Sequence, residues 1–320
     1  MNRSGTLVPH RCVAIGGHGP EDVVADARGR VLTGVEDGRI LRLDHLADPD
    51  HVRVTVLAET GGRPLGLELL GDDTLLVCDA DRGLLRVDLT DGTVRILADS
   101  AAGEPLRFAS NVVALSDGSV YFTVSSRRYP LDQWIGEIAE HTGTGRLLRL
   151  EPGSETPEVV LEGLQFANGL AASADESFLV VAETGACRLT RYWLTGPKAG
   201  SGEPFVEHLP GMPDNIWRGA PDGPLWVALA GPRIPPLDLL HRAAPGVRRT
   251  AARIAVRAPF RPTAAIGVLA VDDTGATVHH LTGRSPGFRM VTSVCEAAGH
   301  LVLGSVHERG IALCEPPAPK

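Results

Sequence analysis

Hydrophobic positions along the chain fall into short runs, not into the three-and-four spacing of helices. One unit recurs: an apolar segment, a turn rich in Asp and Gly, a second apolar segment, and a third that ends near Arg-x-Asp. Copies begin at Glu21 (EDVVADARGRVLTGVEDGRILRLD), Pro64 (PLGLELLGDDTLLVCDADRGLLRVDL), Asn111 (NVVALSDGSVYFTVSS, resuming at GTGRLLRLEP) and Asn168 (NGLAASADESFLVVAETGACRLTRYWL). A fifth is GMPDNIWRGAPDGPLWVALAG from Gly211, and a sixth is SVCEAAGHLVLGSVHERGIALCEP from Ser293. Val, Leu and Ile dominate the segments, and turns such as Arg28-Gly29, Asp117-Gly118 and Asp222-Gly223 separate them, so each copy reads as a hairpin plus a further strand. Six such sheets cannot extend as one flat sheet, and radial closure protects their edges. The expected fold is all-β: a six-bladed β-propeller forming one domain over residues 1–320. The stretch HRCVAIGG is expected to add a strand to a blade built mostly of C-terminal residues.

Two segments break the period. Residues 126–144 place Leu131, Trp134, Ile135 and Ile138 at helical spacing, and residues 232–257 do the same with Leu237, Leu240, Val247 and Ile254. Long insertions in a compact fold often cover a binding site. Both are expected as loops or short helices over the channel mouth, forming a lid. For the second, contact with a membrane surface is the alternative.

Composition narrows the function. Hydrophobic residues make up 43 % of the 320 residues but aromatics only 4 %, so the core must rest on Val, Leu, Ile and Ala. A net charge of −8 argues against a nucleic-acid partner. The only lysines are Lys198, in a Gly-Pro-Lys-Ala-Gly loop, and Lys320, which argues against a buried Schiff-base lysine. No apolar run reaches the roughly 18 residues of a membrane span, and the first residues lack a signal-peptide core. Five scattered cysteines without CxxC spacing are expected as reduced thiols in a cytoplasmic protein. Oligomeric state is left open.

The polar residues become informative when the units are aligned on the strand after the turn. Glu21 precedes Val31 by ten residues, Asn111 precedes Val120 by nine and Asn168 precedes Phe178 by ten; Asp214 and Asn215 precede Leu225 by eleven and ten. Alone, each is an ordinary turn-former. In register, in four blades, they describe a ring of oxygens around the central axis. Two carboxylates and three amide carbonyls, without thiolate or imidazole, suit Ca²⁺. Mg²⁺ and Mn²⁺ are substitutes, with Zn²⁺ a further one. The ends of the second strands return to the same face, so Asp79, Ser125, Glu183 and His307 are expected near the mouth, together with His18.

GRPLGLELL, FANGLAASADESFLVVAETGACRLTRYWLTGPKAG and LPGMPDNIWRGAPDGPLWVAL closely resemble the strictosidine synthase-like proteins, grouped with the senescence marker protein/gluconolactonases and the paraoxonases among six-bladed propellers. The resemblance covers nearly the whole chain and is strongest from Phe166 to Ala230. It implies a divalent ion at the top of the channel on Glu21, Asn111, Asn168, Asp214 and Asn215. Thr292 stands where plant strictosidine synthase carries its glutamate, and Pro64-Leu65-Gly66 and Asp79-Ala80 stand where a paraoxonase carries its histidines. The expectation is a metal-dependent hydrolase of a lactone or related ester acting on a small-molecule substrate. Asp214 would be the base, and Thr292 joins the expected pocket residues. The alternatives are an isomerase or cyclase acting on a natural-product intermediate, including a strictosidine synthase-like condensation, and a binding propeller with a structural metal.

Overall fold

A computed structural model describes residues 3–220 and 222–317. Six sheets follow one another around an axis, each with four antiparallel strands and one of them with a fifth strand on its outer edge. Their innermost strands are Val23–Ala25, Pro64–Leu70, Ala109–Ala114, Ala167–Ala172, Gly211–Trp217 and Val291–Ala297. The second strands of the four ring-bearing blades start at Val31, Val120, Phe178 and Leu225, the residues on which the repeat aligns.

Closure uses both ends of the chain. Pro9–Ala14 pairs antiparallel with Gly310–Cys314 and completes the sixth blade, as the sequence suggests. The strand before it was not foreseen. Arg3–Thr6 runs parallel to Thr277–Arg284 on the outer edge of the fifth blade, and the Leu7 amide donates to the Thr282 carbonyl at 2.8 Å. The leading segment thus seals one blade and covers the free edge of the next.

Aliphatic side chains fill the spaces between blades. Val24, Leu32 and Ile40 of the first blade pack against Leu67, Leu75 and Leu85 of the second. Aromatics concentrate in one cluster, where Phe108, Phe166 and Phe178 lie beside Ile138 from the first insertion.

Both insertions fold as helices. α1 (Trp134–Glu140) follows a short turn of 3-10 helix, while α2 (Pro235–His241) and α3 (Pro245–Ala255) each begin with proline in the first turn, where its missing N–H has no helical partner to lose. The three helices pack on one another as a cap over the axis. Among the described residues no helix is long and apolar enough to cross a membrane.

Candidate active site

A recurrent defect in the inner strands builds the site. In blades two to six, the register between first and second strands slips, between Pro64 and Leu67, Ala109 and Val112, Ala167 and Leu170, Pro213 and Ile216, and Val291 and Ser293. A bulge re-aims side chains that regular pleating would send into a sheet face. Asn111, Asn168, Asp214, Asn215 and Thr292 all sit within these slips. Two glycines let neighbouring bulges meet at the axis. A Cβ on Gly66 would lie 2.4 Å from Asn111 Cα, and one on Gly169 would lie 2.3 Å from the Asp214 carbonyl oxygen.

All five ring residues are buried and joined by hydrogen bonds. Asn215 Nδ2 donates to Glu21 Oε1 at 3.0 Å, and Asn111 Nδ2 donates to Asn215 Oδ1 at 2.9 Å. Asn168 Nδ2 donates to Asp214 Oδ1 at 2.8 Å, and Ser110 Oγ donates to Asn168 Oδ1 at 3.0 Å. The five differ in depth. Glu21, Asn168 and Asp214 line a cavity of about 520 Å³ above the axis, whereas Asn111 and Asn215 lie outside that lining. Asn111 Oδ1 accepts the Leu170 amide at 3.1 Å, so its carbonyl serves the adjacent blade.

The charges on this floor are poorly compensated. Burial raises the pKa of Glu21 well above the carboxylate range; the nearby charges of Asp214 and Asp22 raise it further, and Arg63 opposes them. Burial also pushes Asp214 up to about 8 against the hydrogen bond from Asn168. Glu21 Oε2 has no hydrogen-bond partner among the described residues. An unpaired buried carboxylate is costly, and a cation relieves that cost. The donor set therefore fits a hard divalent ion: two carboxylates and an amide carbonyl face one space. No group of three or more His, Cys, Asp or Glu that could hold a metal occurs among the described residues, so such an ion would rely on amide oxygens or water for the rest of its shell.

Above the floor the walls are apolar. Leu65, Phe108, Phe166, Met212 and Met290 come from the blades, and Trp134, Ile138, Leu237, Leu240 and Phe260 from the cap. Trp134 meets Phe260 edge-on, with ring centroids 4.9 Å apart. Polar stapling holds the cap in place: Ser126 Oγ donates to Glu137 Oε2 at 2.5 Å, and Tyr129 donates to Glu140 Oε2 at 2.5 Å.

The second group of sequence-selected residues divides sharply. Thr292 lines the cavity, and its hydroxyl donates to the Glu21 carbonyl at 2.6 Å. The other five lie outside the lining. Asp79 accepts the Arg63, Asp81 and Arg82 amides and the Thr60 hydroxyl. Glu183 accepts the Gln165 amide and is paired with Arg188. Ser125 Oγ donates to the Ala167 carbonyl at 2.7 Å. His18 and Glu36 are 2.6 Å apart in a separate surface hollow, and the His307 carbonyl is 3.1 Å from His18 Nε2. The second strand is displaced from the axis by one interstrand spacing, about 4.8 Å, and its polar ends are taken up by loop amides at Asp79 and Glu183 and by the Ala167 carbonyl at Ser125. Val247 and Ile254 lie on a helix, as their spacing suggests, but face outward at 55 % and 67 % exposure, and α3 turns Ala251 and Ala255 to the cavity.

Beside the floor, two polar lining residues adjoin positions that the sequence singles out without being selected themselves. Ser110 precedes Asn111, and Thr184, which accepts from Asn168 Nδ2 at 3.2 Å and donates to the Pro213 carbonyl, follows Glu183. Each adjoins a selected position, and only the bulge decides which neighbour faces the cavity. Asp22 also went unnoticed. Buried beside Glu21, it accepts the Val23 and Leu67 amides and the Ser293 hydroxyl, tying three blades together.

Comparison with known proteins agrees with this architecture. The strictosidine synthase family profile matches residues 111–197, and the strictosidine synthase-like N-terminal profile matches residues 10–43. Protein STRICTOSIDINE SYNTHASE-LIKE 13 of Arabidopsis thaliana is 37 % identical over 69 % of this chain and 60 % of its own length. This chain thus spans less than two thirds of that plant relative. The adipocyte plasma membrane-associated protein of Rattus norvegicus is 33 % identical over 90 % of this chain and 81 % of its own. Among solved structures, a gluconolactonase from Xanthomonas campestris superposes with a TM-score of 0.65 at 18 % identity, covering 98 % of this chain and 99 % of its own. A calcium-binding regucalcin from Agrobacterium tumefaciens gives 0.64 at 16 % identity, covering 98 % and 95 %. At these identities the two structures speak to the fold.

Proposed function

The chain belongs to the strictosidine synthase-like family of six-bladed β-propellers, and from that premise we propose that it is a divalent-metal-dependent hydrolase of apolar lactones or esters. The observation that carries this reading is the floor of the cavity: two buried carboxylates, one with an unpartnered oxygen, beneath apolar walls. Glu21, Asp214 and Asn168 would hold the cation, with Asn215 and Asn111 fixing Glu21 from behind. When bound, the ion supplies positive charge at the ester carbonyl oxygen. Ca²⁺ suits the donor set, and the name of the regucalcin neighbour points the same way.

The chain's own groups supply the remaining chemistry. Asp214 accepts a proton from the attacking water as the water oxygen bonds to the carbonyl carbon. The carbon–oxygen bond of the ester then breaks, and the departing alkoxide takes the proton that Asp214 accepted from the water, which regenerates the carboxylate. Asn168 orients Asp214 through its 2.8 Å hydrogen bond. The apolar walls exclude bulk water and select the substrate. They offer few hydrogen bonds to a polyhydroxylated ring, so an aryl or alkyl ester or lactone fits better than a sugar lactone. The five cysteines are all free thiols, which supports a reducing, cytoplasmic compartment.

A panel of aryl esters, alkyl lactones and sugar lactones, offered to chelator-treated protein with and without Ca²⁺, Mg²⁺ or Mn²⁺, tests the reading. Turnover of the apolar members should appear only with metal. A metal that raises thermal stability without turnover of any member would make the protein a binding propeller with a structural ion.

A further inference from the structure

The outer surface of the cap is unlike the rest of the molecule. Ten large apolar side chains are exposed among the described residues, and five of them fall between Ile234 and Phe260. The two most exposed, Leu239 at 70 % and Ile254 at 67 %, are both there. Charge concentrates in the same place. Residues 233–261 hold seven arginines and one acid, Asp238, in a chain whose net charge is −8. Asp238 is taken by Arg233, and Arg249 reaches Glu140. Arg242, Arg253, Arg257 and Arg261 are exposed and have no acidic partner among the described residues.

Helix geometry sorts these residues. Along α3, Ala251, Ala252 and Ala255 form the inner face, with Ala251 and Ala255 on the cavity. Val247 and Ile254, seven residues apart, form a stripe at the edge of that face, and Arg249 and Arg253 fall beyond it on the outer side. On α2, Leu237 and Leu240 face the cavity while Leu239 faces away. Apolar side chains flanked by unpaired arginines around a cavity mouth match the interface of an anionic bilayer. There the aliphatic groups enter the acyl boundary and the guanidinium groups meet lipid phosphate. A protein partner would have to bring a dense acidic surface, whereas an anionic membrane presents one without further assumption.

We propose that the cap is a membrane-docking surface that sets the cavity mouth on an anionic lipid bilayer through Leu239, Val247 and Ile254 and the arginines Arg242, Arg253 and Arg257. In this orientation an apolar substrate enters the cavity from the lipid phase without crossing water.

The 320-residue protein should cosediment with vesicles of equal parts phosphatidylcholine and phosphatidylglycerol. Binding should be much weaker to pure phosphatidylcholine, and should fall as salt is raised. The Arg253→Glu/Arg257→Glu double variant should lose on the order of fivefold in partitioning per arginine replaced, and Val247→Asp/Ile254→Asp should abolish binding. None of these four side chains lines the cavity, so turnover of a water-soluble substrate should be unchanged. Three results would overturn the proposal: no binding to the anionic vesicles, equal binding by the variants, or a dimer in size-exclusion chromatography that the Val247→Asp/Ile254→Asp exchange dissociates.

Discussion

The floor and the cap of the cavity are built in opposite ways. The floor is assembled from one position repeated in four blades, displaced toward the axis by a bulge in three of them, and held by amide-to-carboxylate hydrogen bonds. The cap comes from two unrelated insertions, 126–144 and 232–257, whose contact with the blades is mostly apolar. Strand pairing on both sides fixes the floor's geometry, which suits groups that must hold charge in place. The cap can vary without disturbing a single blade, which suits the choice of substrate and surface. Under the proposed function, chemistry and selectivity sit on separate parts of the molecule, and mutations should separate them.

The largest effect should come from the floor. Asp214→Asn keeps the shape and an oxygen ligand but removes the base, and at saturating metal it should lower kcat by roughly two orders of magnitude or more. Glu21→Gln should act mainly on metal affinity, so excess metal should restore much of its turnover. Full rescue of Asp214→Asn by metal would reduce Asp214 to a ligand and merge the two roles. Asp79→Ala should separate stability from chemistry. It strands the buried Arg63 amide and frees the Asp81 and Arg82 amides, so denaturant titration should show a loss of about 1–3 kcal/mol, while calorimetry should give unchanged metal affinity.

The cap should respond in KM. Trp134→Ala removes an aromatic wall and its contact with Phe260. KM for an apolar ester should rise roughly tenfold, with kcat and the melting temperature little changed; a kcat collapse would mean that the cap takes part in the chemistry. The smallest effect should be pH-dependent. His141 and His241 stack between α1 and α2, with ring centroids 3.8 Å apart. Burial, then the charges of His241 and Arg248, lower the pKa of His141 from 6.5 to about 4. An opened cap takes up that proton between these values and a closed one does not, so closure is favoured above pH 6.5 and weakens as pH falls toward 4. Hydrogen-exchange protection factors in residues 134–140, taken relative to the intrinsic rate at each pH, should fall over that window, and His141→Gln should flatten the response. An equal fall in protection in the second strand of blade four would show global loosening instead.

Much of the floor was legible because a repeat writes the same physical demand several times. Glu21, Asn111, Asn168, Asp214 and Asn215 all stand nine to eleven residues before the second strand, and that strand begins at Val31, Val120, Phe178 and Leu225. Asp79, Glu183 and Ser125 share a position too, but theirs turns away from the axis: the two carboxylates accept loop amides and the Ser125 hydroxyl donates to the Ala167 carbonyl. Sequence spacing alone does not distinguish the two, because both are polar residues at strand ends. Leu237 and Val247 read alike as apolar positions in an insertion, yet one lines the cavity and the other meets solvent.

By itself the sequence determined what depends on neighbours along the chain. Alternation and Asp-Gly turns set the strands, their period set six blades, and offsets of nine to eleven residues placed five oxygen-bearing residues at the axis. Tertiary structure decided what depends on residues brought together from far apart. Asn215 reaches Glu21 across 194 positions of sequence, and only that meeting leaves one carboxylate oxygen satisfied and the other, Oε2, bare. Hydrogen bonding and desolvation act over a few ångströms of space, so no local pattern records which buried atom remains unpaired.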